Sequence, residues 1–206
     1  MDNRKIAVLA SGRGTNLQAI LEACAAGQIP GRVSLVISDV PGAPALERAR
    51  RANVPIHVLD YESFSGKKAY ERNLFALLIR EDPELVCLAG YMRIVGKEII
   101  DRFRGRLLNI HPSLLPAFPG LDAQCQALEY GVKITGCTVH FVDEGIDTGP
   151  ILLQSCCPVK DDDTVDTLFQ RILQLEHALY PEAIRLVLEG KIYWDGRKTK
   201  VREDWR

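Results

Sequence analysis

Five short apolar runs punctuate the first half of the chain. Residues 5–10 (KIAVLA), 33–38 (VSLVIS), 56–59 (IHVL), 84–90 (ELVCLAG) and 106–110 (RLLNI) are almost unbroken in hydrophobic side chains. That is the pattern of strands covered on both faces. Between them the period changes. Leu17, Ile20, Leu21 and Cys24 recur at helical spacing and stop at Gly27, while 66–82 places Tyr70, Leu74, Leu77 and Leu78 on one face. Residues 43–53 and 96–103 also read as helices. Strand–helix alternation of this kind predicts an α/β architecture, a parallel sheet with helices on both faces.

The second half is different. Residues 135–143 alternate like an antiparallel or mixed strand, and a further strand over 151–159 follows the loop EGIDTG. A long helix is predicted from about 164 to 179, broken before Pro181 and resumed to Gly190. A terminal hairpin turning at Asp195–Gly196 closes the pattern. Residues 117–130 carry no legible element and read as a loop. Neither a repeat nor a linker interrupts the 206 residues, so one domain over 1–206 is expected, with 47% hydrophobic residues to build its core.

The formal charge of -1 argues against a nucleic-acid or membrane surface, and no apolar stretch reaches the ~18 residues of a membrane span. A cytoplasmic protein is expected. Its six cysteines (24, 87, 125, 137, 156 and 157) show no CxxC spacing. They predict reduced, buried thiols, with no disulfide framework and no metal site.

Sites in such sheets form at the carboxyl ends of the strands, where three unusual segments lie. SGRGTN (11–16) joins a strand to a helix, and its glycines and N–H groups suit either an anion or a simple capped turn. In NIHPS (109–113), Asn109 and His111 are two apart and point the same way on an extended chain. An amide and an imidazole converging on one point suit an oxygen that becomes negative during reaction. Pro112, Pro116 and Pro119 then fix the backbone after the pair. VDEGIDTGP (142–150) crowds Asp143, Glu144 and Asp147 together. A carboxylate beside His111 would raise its pKa, although composition alone reads these acids as a solvated turn. His140 fits support of the site and a dry core equally well; His57 and His177 have no comparable context.

With LAGYMRIV, GRLLNIHPSLLPAFPG, GCTVHFVDEGIDTGPI and QLEHALYPEAI beside SGRGTNLQAI, the chain resembles the formyltetrahydrofolate-dependent formyltransferases nearly end to end. SGRGTN and EHALYPEAI narrow the likeness to their short purine-pathway branch. The resemblance implies a Rossmann-like formyltransferase fold continuing into a mixed C-terminal part. It also implies transfer of the formyl group of 10-formyltetrahydrofolate, a co-substrate, to the amine of 5-phosphoribosylglycinamide. Small-molecule substrates, no metal, and a monomer or weak homodimer go with it. Asn109, His111 and Asp147 match the family's catalytic residues. Gly14, Thr15 and Asn16 match its phosphate turn, and Glu176 a residue that holds the ribonucleotide alongside Asn109. Met92, Arg93, Ile94 and Val95 match the folate-binding segment, and Lys67 falls near the folate tail.

One stretch departs from the family. Where His-x-His-Arg-Gln is common, this chain has Asp122-Ala123-Gln124-Cys125-Gln126. An acid near a phosphate costs Coulomb energy unless it is screened, so either the side chains of this loop matter little or ribonucleotide binding is weaker and another amine is the alternative acceptor. Competing readings are a formyltetrahydrofolate hydrolase, which usually has an extra N-terminal domain, and methionyl-tRNA formyltransferase, which has an additional C-terminal domain and a basic surface. A non-catalytic phosphate-binding domain would not need Asn109, His111 and Asp147 together. A nicotinamide oxidoreductase finds only Asp39 as a ribose anchor and has the wrong glycine spacing.

Overall fold

The computed structural model describes residues 4–195 and 197–202. Strands β1 (Lys5–Leu9), β2 (Arg32–Ser38), β3 (Ile56–Val58), β4 (Leu85–Leu88) and β5 (Leu107–His111) follow the predicted apolar runs. Helices α1 (Thr15–Ala25), α2 (Pro44–Arg51), α3 (Lys67–Glu81) and α4 (Lys97–Arg102) fill the intervals between them. Then come α5 (Ala123–Tyr130), β6 (Ile134–Phe141), β7 (Ile151–Pro158), α6 (Val165–Leu188) and the pair β8 (Ile192–Asp195) and β9 (Lys198–Val201).

Seven strands form one sheet in the order β3-β2-β1-β4-β5-β6-β7. The first five run parallel; β6 pairs antiparallel with β5, and β7 with β6. Buried strands explain the continuous runs: Ile6, Val8 and Leu108 face one apolar cluster, and Ala7, Leu9 and Val86 the other. The helical face Tyr70, Leu74, Leu77 and Leu78 packs into the second cluster, as its spacing predicts. The C-terminal hairpin lies against the sheet, with Trp194 and Phe141 rings 4.6 Å apart and Thr199 Oγ1 donating to Ile151 O at 2.6 Å. The predicted turn residue Gly196 lies outside the described residues.

Two expectations are corrected. Residues 123–130, read as loop, form α5, bracketed by left-handed Asp122 and Gly131. Ala123 and Ala127 are buried on its inner face, but alanines and glutamines give little hydrophobic contrast, so the period was faint in the sequence. Helix α6 is not broken at Pro181 but runs on through it. The proline removes one backbone donor and costs about 3 kcal/mol in an isolated helix. Buried Tyr180, Ala183 and Ile184 on either side oppose that cost with core packing.

Tyr180 also ties α6 to the sheet. Its hydroxyl lies 2.9 Å from Leu88 O, at the end of β4, and 3.1 Å from Leu108 O, next to Asn109 in β5. Tyr180→Phe leaves two buried carbonyls short of a donor and is expected to lower stability by about 1–3 kcal/mol. Urea unfolding measures this, and an unchanged midpoint would remove Tyr180 as a tie.

Candidate active site

The carboxyl ends of β1, β4 and β5 are adjacent, so the loops that leave them meet. Ser11 N donates to Gly90 O at 3.0 Å, and Met92 N donates to Ser11 Oγ at 2.9 Å, which locks the glycine turn to segment 90–95. Strand β5 carries Asn109 beside Leu88 of β4 on one side and His140 of β6 on the other. It is the one strand of this sheet bonded parallel to one neighbour and antiparallel to the other. The antiparallel partner returns immediately into the loop that bears Asp147.

Four side chains converge there. His111 Nδ1 lies 3.3 Å from Asp147 Oδ2, and His140 Nε2 lies 3.5 Å from Asp147 Oδ1. Asn109 Nδ2 is 3.1 Å from His140 Nε2 and 3.4 Å from Asp147 Oδ1. His140 Nδ1 faces its neighbour's carbonyl, Phe141 O, at 2.9 Å. A donating Nδ1–H leaves Nε2 as the acceptor for Asn109. His140 is therefore part of the cluster, a role the sequence left open. Of the three acids in 143–147, only Asp147 enters it. Asp143 accepts from Gly145 N and Thr148 Oγ1 within its own turn, and exposed Glu144 pairs with Lys97.

The proline-rich loop folds back over the pair. Phe118 O sits 2.8 Å from His111 Nε2, and Gly120 N donates to Asp147 Oδ2 at 2.8 Å. Thr138 Oγ1 donates to Ser113 O and accepts from Leu115 N, which anchors the loop's first half to β6. Phe118, Asp122 and Asp147 all have positive φ without being glycine, backbone strain of the kind that collects at functional sites. Gly149 lets the Asp147 loop close against β6, because a Cβ there would run into Phe141 O.

The charge on His111 departs from expectation. Burial pushes its pKa below the ordinary value; Phe118 O and Asp147 oppose this without overcoming it, and His140 adds to it. Acceptors on both ring nitrogens suit an imidazolium, but burial favours the uncharged ring and wins. For Asp147, burial alone would raise the pKa. The Gly120 N–H and the neighbouring His140 and His111 rings hold it below the usual carboxylate range. Both amide hydrogens of Asn109 are directed at His140 and Asp147. The free N–H expected at this position is therefore already committed, and meeting an oxyanion requires exchanging one of those bonds.

The predicted phosphate turn lies alongside. Gly14 is the left-handed N-cap of α1, and a Cβ on it would sit 2.6 Å from Ala45 Cα, so only glycine admits α2 so closely. Thr15 opens α1. Asn16, next in the helix, is buried and donates from Nδ2 to Glu176 Oε2 at 2.7 Å. Asn16 Oδ1 is buried with no hydrogen-bond partner. Burial pushes the Glu176 carboxyl up to about 7, against the pull of Asn16 and Arg13. Arg13 itself lies over the Phe169 ring, 4.4 Å from its centroid.

Segment 92–95 presents exposed Met92 and Ile94 and buries Val95, while the Arg93 guanidinium stacks on Tyr61 at 3.6 Å. Lys67 is exposed at the start of α3 and pairs with Glu71 at 3.5 Å. The Glu71 carboxyl closes on Gly96, where an added Cβ would lie 2.7 Å away from it, so Lys67 borders the same segment. Asp122 is exposed at the head of α5, whereas Gln124 is buried and Gln126 Nε2 holds Leu121 O at 2.7 Å. The cysteines are free thiols: Cys87, Cys137 and Cys157 are buried as expected, Cys24 and Cys125 are half-buried, and Cys156 is exposed on edge strand β7. Among the described residues no group of three or more His, Cys, Asp or Glu could hold a metal, and no helix is long and apolar enough to cross a membrane.

Comparison with known proteins adds the following. The family model described as formyl transferase matches residues 4–184. A phosphoribosylglycinamide formyltransferase of Bacillus subtilis (strain 168) is 43% identical over 185 residues, 90% of this chain and 95% of that protein. The Drosophila melanogaster trifunctional purine biosynthetic protein adenosine-3 is 46% identical over 189 residues; that is 91% of this chain but only 14% of the Drosophila protein. The crystal structure of glycinamide ribonucleotide transformylase 1 from Symbiobacterium toebii superposes with a TM-score of 0.95 at 53% identity, covering 98% of this chain and 95% of that one.

Proposed function

Because the chain belongs to the formyl transferase family, we propose that it moves the formyl group of 10-formyltetrahydrofolate to the primary amine of 5-phosphoribosylglycinamide, a step of purine synthesis. The observation that carries this reading is the meeting of Asn109, His111 and Asp147 at the end of β5, on the same carboxyl edge of the sheet as the 11–16 turn and segment 90–95. One loop suits a phosphate, the other offers main-chain groups to a flat heterocycle, and the reacting carbon would lie between them.

The amine attacks the formyl carbon directly. A C–N bond forms, the carbonyl pair moves onto oxygen, and the tetrahedral adduct collapses by expelling N10 of tetrahydrofolate, which takes up a proton as the amine loses one. His111 and Asn109 stabilise the oxyanion once one of their present bonds, to Phe118 O or Asp147, is exchanged for it. Oxyanion formation favours the imidazolium that burial otherwise opposes, so the ring gains its proton when that proton is useful. Asp147 supports that charge and orients both groups. Gly14, Thr15 and Asn16 hold the phosphate at the amino end of α1. Glu176 accepts from hydroxyls of the ribonucleotide. Met92 to Val95 hold the pterin ring, and Lys67 lies toward the acidic tail of the folate. Asp122 is exposed and takes no part in the Asn109–His111–Asp147 cluster.

The test is release of tetrahydrofolate from 10-formyltetrahydrofolate, followed by absorbance with and without glycinamide ribonucleotide. Release that requires the ribonucleotide and yields its N-formyl product is expected. Release without it would make the chain a hydrolase, and no release with either would overturn the reading.

A further inference from the structure

One buried carboxylate near the site has no part in the chemistry above. Asp39 follows β2 directly, and its side chain is 1% exposed. Its Oδ1 accepts from Ser11 Oγ at 2.6 Å, a short charge-assisted bond. Its Oδ2 accepts from Arg93 Nε at 2.8 Å. Ser11 in turn accepts the Met92 amide. Asp39 thus reaches both the first and the second residue of segment 92–95, one through a serine and one directly.

The arrangement continues outward. The Asp39 carbonyl accepts from Tyr61 N at 3.3 Å, and the Tyr61 ring lies under the Arg93 guanidinium. Tyr61 also packs on Tyr70, 5.1 Å between centroids, and the Tyr70 and Tyr91 hydroxyls meet at 2.5 Å. Past Ser11 the phosphate turn has further ties of its own. Ala45 N donates to Gly12 O at 3.1 Å, and Arg48 Nε donates to Arg13 O at 2.9 Å.

We propose that Asp39 is a positioning residue for the folate co-substrate: it sets the main chain of Met92–Val95 through Ser11 and Arg93, while Gly12 and Arg13 of the phosphate turn keep their own ties to α2. The proposal rests on reading 92–95 as the folate segment. A loop that carries recognition on its backbone needs that backbone fixed before the ligand arrives, or ordering it subtracts from affinity. A buried carboxylate with two donors on two different elements meets that need. An asparagine offers one oxygen and one NH2 where aspartate offers two oxygens, so Asp39→Asn keeps the volume but loses the charge, and it holds Arg93 only by turning Nδ2 toward Ser11, whose hydroxyl must then accept where it now donates.

Steady-state kinetics of Asp39→Asn, with each substrate varied in turn, provide the test. KM for 10-formyltetrahydrofolate is expected to rise about tenfold, the scale of one charge-assisted bond, with kcat and KM for the ribonucleotide within about twofold. Ser11→Ala should act in the same direction, and the double variant should be no worse than the larger single effect. Ile94→Pro, which removes a main-chain N–H from the loop itself, separates the two readings. If it raises the folate KM and Asp39→Asn does not, the positioning role is overturned while the loop assignment stands. If Ile94→Pro leaves that KM unchanged, the loop is not the folate segment, and the proposal falls with it. A fall in kcat with both KM values raised and a lowered melting temperature would mark Asp39 as merely structural and also overturn it.

Discussion

Asp147→Asn is expected to reduce kcat by about 10²–10³, the cost of disabling an oxyanion-stabilising arrangement, with the fold intact. Asp147 receives Gly120 N on one oxygen, beside His111 Nδ1, and Asn109 on the other, beside His140 Nε2. Asparagine keeps one of those oxygens and turns an NH2 group toward donors on the other side. Either the Gly120 tie or the Asn109 bond is lost. The charge goes too, and with it an influence that holds the His111 pKa up against burial. Two readouts follow. In single-turnover experiments the chemical step should slow while both substrates still bind. In a pH profile, the limb that depends on the His111 imidazolium should move to lower pH, because burial is then opposed only by Phe118 O. Turnover near that of the unaltered protein would remove Asp147 from the mechanism.

Glu176→Gln has the second largest expected effect, and its sign runs opposite for stability and for function. The Glu176 carboxyl is raised from 4.5 to about 7 by burial. A carboxyl that holds its proton more tightly when folded supports the fold fully below pH 4.5. That support is lost as pH rises through about 7, where the buried group must ionise. At pH 8 the ionised side chain therefore costs the fold about 3 kcal/mol. Glutamine never ionises, and it still offers an oxygen to Asn16 Nδ2. The variant should be more stable by that amount at pH 8 and equal to the parent near pH 4, as measured by denaturant unfolding at both values. Its KM for the ribonucleotide should nevertheless rise about tenfold at pH 8, since a neutral amide accepts from hydroxyls more weakly than a carboxylate. Equal stability of the two proteins at pH 8 would show that Glu176 is not held in a desolvated site.

What the sequence made legible was the order of elements and the spacing of polar residues along single strands. Unbroken apolar runs reveal parallel strands because burial on both faces leaves no polar alternation. Asn109 and His111 were recognisable because two residues of separation on a strand mean one face. Relations across the fold were not legible. Asp143, Glu144 and Asp147 look alike in the chain, and only the positive φ at Asp147 and the return of β6 beside β5 turn one of them inward. The fall in the His111 pKa comes from burial, a property of everything packed around the ring. Helix α5 lacked contrast, and Pro181 is tolerated because its neighbours are anchored in the core. Asp39 looked like a poor ribose anchor; its ties to Ser11 and Arg93 cross 28 and 54 residues.

The sheet reverses direction at β5, and that has a consequence for how the chain acquires activity. Asn109 and His140 are direct ladder partners, as are His111 and Thr138. A slip of one residue along β6 would carry His140 to the opposite face, away from Asn109, instead of displacing it by a small amount. The cluster therefore has no half-formed version that works a little. Its appearance during refolding requires completion of the β5–β6 pairing, whose partners lie 31 residues apart at Asn109 and His140. Under the proposed function, recovered turnover would count the correctly zipped molecules.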